Sequence, residues 1–276
     1  MALMNAAETP IQAQAAAKAL LAFWRAAGVD MDVAEAVYAT SAKTAAPVRA
    51  APPPAPKAPV ARPRAKATSL VDNAVALAKS AQTVAELRAV VMGFEGCALK
   101  ATARNTVFSD GVDDAPVLII GEAPDRDEDE QGKPFAGAAG QMLDKMLAAI
   151  GLHRQTNVLL SNTIFWRPPG NRAPTPGEVM TCLPFVERLI ELKQPKLLVL
   201  MGKAASNTLL KREEAVTRLR GRRMSFSSEG LALPVNAIVM LHPAYLMRQP
   251  QQKRLAWADL LATQAWLEEL GVARVP

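Results

Sequence analysis

The chain has 276 residues, half of them apolar and 5% aromatic, and 32 Lys+Arg against 26 Asp+Glu give a formal charge of +6. That length suits one domain of about 200 residues plus an extension, and no apolar run reaches the roughly 18 residues of a membrane span. The start, MALMNAAETP, has neither a charged nor an apolar leader segment, and two Cys make no disulfide framework, which suits a reducing cytoplasm.

In chain order, residues 1–41 contain one expected short helix over 11–27, with Leu20, Leu21 and Trp24 as its bulky apolar residues. It reads either as a loosely packed helix or as one that docks a protein partner. Residues 42–67 are nearly all Ala, Pro, Lys and Arg with no acidic residue, an extended linker because proline fixes φ and removes amide donors. Residues 1–67 hold eight basic and four acidic residues, so most of the charge excess sits there and is expected to add salt-sensitive affinity for nucleic acid.

Residues 68–276 read as a compact α/β domain. Thr83 and Glu86 have capping-box spacing ahead of an apolar run. Four β-rich runs follow, at 117–120, 158–160, 197–201 and 237–241, with helical segments at 141–150, 176–192 and 204–211. Strands apolar on both faces predict a parallel sheet covered on both sides. The expected architecture is a three-layer α/β/α sandwich with a short, mainly four-stranded parallel sheet. The ligand crevice of such a sheet lies beyond the carboxyl ends of its strands.

Each strand run ends in unusual chemistry. The first leads into Gly121-Glu122-Ala123-Pro124 and then Gly132-Lys133-Pro134-Phe135-Ala136-Gly137, and the second into Ser161-Asn162. The third ends at Gly202, and the fourth at His242-Pro243-Ala244-Tyr245-Leu246-Met247-Arg248. A carboxylate, an aromatic ring, an amide and an imidazole are thus expected at one sheet edge. They have no metal-ligand spacing, and no serine sits on a nucleophile elbow.

The segments GEAPDRDEDEQGKPFAG, SNTIFWRPPGNRAPTP and HPAYLMR, in this order, resemble family 4 uracil-DNA glycosylases from about Cys97 to Leu261. The resemblance implies hydrolysis of the N-glycosidic bond of deoxyuridine in DNA, the start of base-excision repair, by a monofunctional enzyme acting on a flipped-out base. It assigns Phe135 and Ala123 to the uracil pocket. Asn162 would pair with uracil's polar edge, and His242 would stabilise the leaving anion at O2. Glu122 would position water or steady the sugar cation, and Glu128 would shape the pocket against a 5-methyl group. The bland alternatives are a core position for Phe135, a turn or cap for Asn162 and a structural role for His242. Leu246 is the expected DNA wedge, or else a buried helix leucine, and Arg248, Arg167, Arg172 and Lys203 are phosphate candidates. A glycosylase of wider range, acting on hypoxanthine or xanthine, and a DNA- or uracil-binding protein with little turnover are the competing readings.

The pattern departs from the family in two places. The family's [4Fe–4S] cysteines fall at Phe94, Cys97, Trp166 and Cys182, so the expected cofactor is none, with Trp166 filling volume and the two thiols buried. Asp125 stands where the family has glycine, an awkward residue if φ were positive there. From Glu122 to Glu130 six carboxylates face one arginine, expected to be mostly a solvated face, while 211–223 carries six basic residues against two acidic. The expected partner is uracil-containing DNA, with no membrane, and nothing demands an oligomer, so a monomer is expected.

Overall fold

The computed structural model describes residues 64–274. The expected 11–27 helix and the linker up to residue 63 lie outside the described residues. Helix α1 (Arg64–Ser80) starts four residues ahead of the expected domain boundary. Pro63 is the last proline before Pro116, and the Arg-Ala-Lys-Ala that follows it favours helix. Helix α2 (Val84–Gly93) is capped by Thr83, whose hydroxyl accepts from the Glu86 amide at 3.1 Å. The Glu86 carboxylate reaches one residue further back, accepting from the Gln82 amide at 2.7 Å.

The sheet has six strands: β1 (Ser109–Gly111), β2 (Val117–Gly121), β3 (Val158–Asn162), β4 (Leu197–Met201), β5 (Arg223–Phe226) and β6 (Val235–Met240). Their order is β1-β3-β2-β4-β6-β5. The four expected strands form the parallel centre, and β1 and β5 add antiparallel edges. The edges were not anticipated because Ser-Asp-Gly carries no apolar residue and Arg-Met-Ser-Phe has only one buried side chain. Between and after the strands run α3 (Arg126–Gln131), α4 (Ala138–Ala148), α5 (Pro176–Lys193), α6 (Gly202–Leu210), α7 (Val216–Leu219), α8 (Pro243–Arg248) and α9 (Lys253–Glu269).

Alternate residues of each central strand feed two separate cores. Leu118, Ile120, Leu198 and Leu200 pack with α1, α2, α5 and α6 through Ala74, Leu87, Phe185 and Leu209. Val117, Ile119, Val199 and Ile238 pack with α4, α8 and α9 through Leu143, Leu246 and Trp266. With both faces covered, the period-2 pattern disappears from the sequence, and each buried Leu, Ile or Val stabilises the fold by about 1.5–3 kcal/mol. Among the described residues no helix is long and apolar enough to cross a membrane.

Candidate active site

The parallel register sets Gly121 beside Asn162 and Met201 beside Met240, so the strand ends are level. Beyond them opens a cleft of about 790 Å³, whose lining includes Glu122, Ala123, Asp125, Glu128, Phe135, Asn162, Lys203, His242 and Arg248. The residues expected at four separate strand ends therefore share one crevice, where a parallel sheet places its ligands.

Phe135 is the most constrained residue of the site. It is buried and has φ +54°, a left-handed conformation that costs an L-residue roughly 1–2 kcal/mol. Its peptide is held at both ends. The N–H donates to the Glu128 carboxylate, and the C=O accepts from the Arg154 guanidinium at 3.0 Å. Two glycines make room: a Cβ on Gly140 would sit 1.7 Å from the Phe135 carbonyl oxygen, and one on Gly121 would sit 2.8 Å from its ring and 2.3 Å from Asn162 Oδ1. The ring stacks on the His242 imidazole, centroids 5.7 Å apart and planes 25° apart.

His242 is the N-cap of α8, and its Nδ1 accepts from the Ala244 amide at 3.2 Å. An accepting Nδ1 places the ring proton on Nε2, so the neutral imidazole is a donor there. Burial, with Arg248 nearby, holds its pKa down at about 4. Asn162 is buried and donates a long 3.5 Å contact to Glu128 Oε1. Glu122 is half-buried, and burial raises its carboxyl.

The acidic stretch is a solvated face only in part: Asp127 and Glu130 are exposed, whereas Glu128 and Asp129 are buried. Asp125 has φ −89° and caps α3, accepting from the Glu128 amide at 3.0 Å while Glu128 Oε2 accepts from the Asp125 amide at 2.7 Å. The feared strain at Asp125 is absent because φ is negative, and aspartate is among the preferred cap residues. Glu128 thus joins the cap, Phe135 and Asn162 in one hydrogen-bonded hub, and burial pushes its pKa up to about 7. Asp129 is buried too, accepting from the amides of Arg104 (2.8 Å) and Asn105 (3.1 Å). The Asp125-x-x-Glu128 spacing was the readable signal for this hub. Arg154 had none.

Leu246 does not project as a wedge: it is 0% exposed and belongs to the second core. At about 100° per residue, Ala244 and Arg248 share the cleft face of α8 and Leu246 points away from it. The apolar side chain that α8 leaves exposed is Met247, at 47%. Lys203 and Arg248 are exposed at the cleft rim and form no ion pair among the described residues. Arg172 also lines the cleft, but both its terminal nitrogens bind Glu178, at 2.9 and 2.6 Å, which holds that carboxyl down at about 2. Arg167 donates to Asn171 at 2.7 Å and is not part of the lining. Four of the six cations over 211–223 are paired with carboxylates: Lys211, Arg212, Arg220 and Arg223.

The four positions at which the family places its cluster cysteines come together in the first core. The Phe94 ring lies 6.4 Å from Trp166 and 4.9 Å from Phe185, and the Trp166 indole donates to Thr106 at 2.9 Å. The two thiols are neighbours, and their interaction lowers the Cys97 thiol below the ordinary range while it and burial push Cys182 well above it. Two thiols and two packed rings do not fit a four-thiolate iron–sulfur cluster. Among the described residues no group of three or more His, Cys, Asp or Glu side chains is arranged to hold a metal ion.

Residues 108–261 match the family model of the uracil DNA glycosylase superfamily. The chain is 36% identical over 165 residues to a type-4 uracil-DNA glycosylase of Archaeoglobus fulgidus, covering 58% of this chain and 81% of that protein. It is 31% identical over 169 residues to one from Pyrobaculum aerophilum, covering 60% and 85%. A third, from Thermotoga maritima, is 29% identical over 178 residues, covering 63% and 90%.

Proposed function

We propose that this chain, which belongs to the uracil DNA glycosylase superfamily, hydrolyses the N-glycosidic bond of deoxyuridine in DNA, releasing uracil and leaving an abasic site for repair. The observation that carries the reading is the meeting of Phe135, Asn162 and His242 in one cleft, with His242 Nδ1 occupied by the Ala244 amide so that Nε2 is left to face a ligand.

A base inside a duplex is out of reach of such a cleft, so it must leave the stack, at a cost of a few kcal/mol. Phe135 offers the extruded base a flat apolar face. Asn162 offers both a donor and an acceptor, the complement of uracil N3–H and O4. As the bond between C1′ and N1 breaks, its electron pair passes to the base, and negative charge grows on O2. The Nε2–H of His242 is a preorganised donor for that charge, present in full at neutral pH because the imidazole does not titrate there. Glu122 steadies the cationic sugar or orients the attacking water, whose oxygen adds to C1′ and whose proton neutralises the released uracil anion. Glu128, already fixed by the cap, holds Asn162 and Phe135 in register.

Lys203 and Arg248 are the rim cations best placed to meet phosphates. Arg172 contributes less while Glu178 occupies it. Met247 takes the wedge role on α8, since it and not Leu246 reaches solvent. The chemistry uses water and this chain's own side chains, with no iron–sulfur cluster.

The test is alkali-revealed cleavage of a labelled oligonucleotide containing one uracil. Strand scission with the wild type, lost in H242A and N162A, supports the reading. Retained DNA binding with no abasic product under single-turnover conditions overturns it.

A further inference from the structure

Arg154 belongs to no expected motif and lies outside the cleft, yet it touches the most strained residue of the site. It sits in the connection between α4 and β3, with its side chain only 17% exposed. All three of its nitrogens are engaged: Nη1 with Asp110 on β1 at 2.8 Å, Nε with Asp144 on α4 at 2.9 Å, and Nη2 with both Asp144 Oδ1 at 2.8 Å and the Phe135 carbonyl at 3.0 Å. Two carboxylates from different elements thus aim one planar fork at a single peptide oxygen.

We infer that Arg154 is a positioning residue, which acts through Phe135 by holding its peptide in the left-handed conformation that keeps the ring stacked on His242. The reasoning is geometric. A phenylalanine at φ +54° returns to ordinary backbone unless its neighbours hold it. Glu128 holds the N–H, and Arg154 is the protein donor on the C=O. Gly140 admits the carbonyl and offers no bond of its own. Released from Arg154, the peptide can turn, taking the ring away from His242 and the N–H away from Glu128. A lysine cannot substitute, because one ammonium does not span two carboxylates and a carbonyl in the same plane. The edge strand β1 acquires a purpose from this arrangement, since it carries Asp110.

The inference deepens the glycosylase reading and rests on it for its kinetic arm. The experiment measures kcat/KM on a single-stranded uracil oligonucleotide for wild type, R154K, F135A and the double variant. Hydrogen–deuterium exchange of segment 132–137 is followed alongside. R154K is expected to lose roughly tenfold or more in kcat/KM, but less than about twofold further once Phe135 is already alanine. The Phe135 amide is expected to exchange roughly tenfold faster in R154K. Should R154K melt below the assay temperature, Asp144→Asn, which loosens the guanidinium without removing it, shows the same coupling with a smaller loss. Multiplicative losses in the double variant, wild-type kinetics in R154K, or unchanged exchange overturn the inference. A wild type that releases no uracil defeats the glycosylase reading alone. The exchange arm then decides the clamp: faster exchange upholds it and unchanged exchange refutes it.

Discussion

The Phe135 ring lies 5.7 Å from the His242 imidazole with the planes 25° apart, so the apolar face and the hydrogen-bond donor of the cleft are one stacked unit. Burial keeps that imidazole uncharged down to a pKa of about 4. Excision is therefore expected to show no acid limb near the ordinary histidine range. H242A is expected to lower kcat by on the order of 10²–10³, the loss typical of a donor to developing negative charge. A pH–rate profile of the wild type with an inflection close to 6.5 that disappears in H242A would contradict the neutral-donor assignment.

Stability should show two opposing slopes from this one site. The folded pKa of His242, about 4, lies below its ordinary 6.5, so its contribution is complete above 6.5 and is lost as pH falls toward 4. The folded pKa of Glu128, about 7, lies above its ordinary 4.5, so its contribution is complete below 4.5 and is lost as pH rises through 7. The windows overlap, and the two terms offset each other in the wild type. Thermal melts from pH 4 to 7.5 should show Tm falling more steeply with rising pH in H242A, and rising more steeply in E128Q. Parallel Tm–pH curves for all three proteins would sink this account.

Asp125 caps α3 and sets the back-bonding Glu128. Asp125→Ala is expected to cost about 1 kcal/mol of unfolding free energy, and Asp125→Ser to cost much less, because serine is an equally good cap. Urea denaturation measures both. Excision should follow the same order, because the cap aligns the carboxylate that holds Phe135 and Asn162. Equal activity in the two variants would separate the cap from the pocket.

Trp166 is fully buried between Phe94 and Phe165 and satisfied by Thr106. Trp166→Ala is expected to destabilise the fold by about 3–5 kcal/mol through the cavity it leaves. Purified wild-type protein is expected to contain no stoichiometric iron or acid-labile sulfide. One iron assay decides the second point, and chemical denaturation the first.

Met247 and Leu246 predict different failures. Met247→Ala is expected to lower the ratio of duplex to single-strand excision by roughly tenfold, about the penalty for leaving an emptied base step unfilled. Met247→Leu is expected to restore it. Leu246→Ala is expected instead to lower Tm, by a core loss of about 2–5 kcal/mol. A duplex-selective defect in Leu246→Ala with native stability would return the wedge to Leu246.

The four central strands were readable because each is a run of apolar residues buried on both faces, and their ends named most of the cleft. The edge strands were not readable, since their residues join the sheet through backbone bonds. Leu246 takes the second of its two expected places, a buried helix leucine, and the sequence left the choice open because it does not say which side of α8 the residue occupies. Once the helix was set to begin at Pro243, the phase followed from geometry. The acidic stretch misled for a different reason. Charge density suggested solvent, whereas Glu128 and Asp129 are buried accepting backbone amides. Arg154 could not have been found, because its partners lie 44, 19 and 10 residues away in sequence.

The ring-filled corner at Phe94 and Trp166 changes what that part of the molecule depends on. Stability drawn from a bound group follows mass action, rising and falling with the supply of the group and vanishing when it is stripped. Stability drawn from packed rings is carried by the polypeptide itself and follows the enthalpy, entropy and heat capacity of unfolding. On the proposal that no cluster is held there, this corner is expected to reach its final strength as soon as the chain folds, and its stability is expected not to change with chelators or metal starvation.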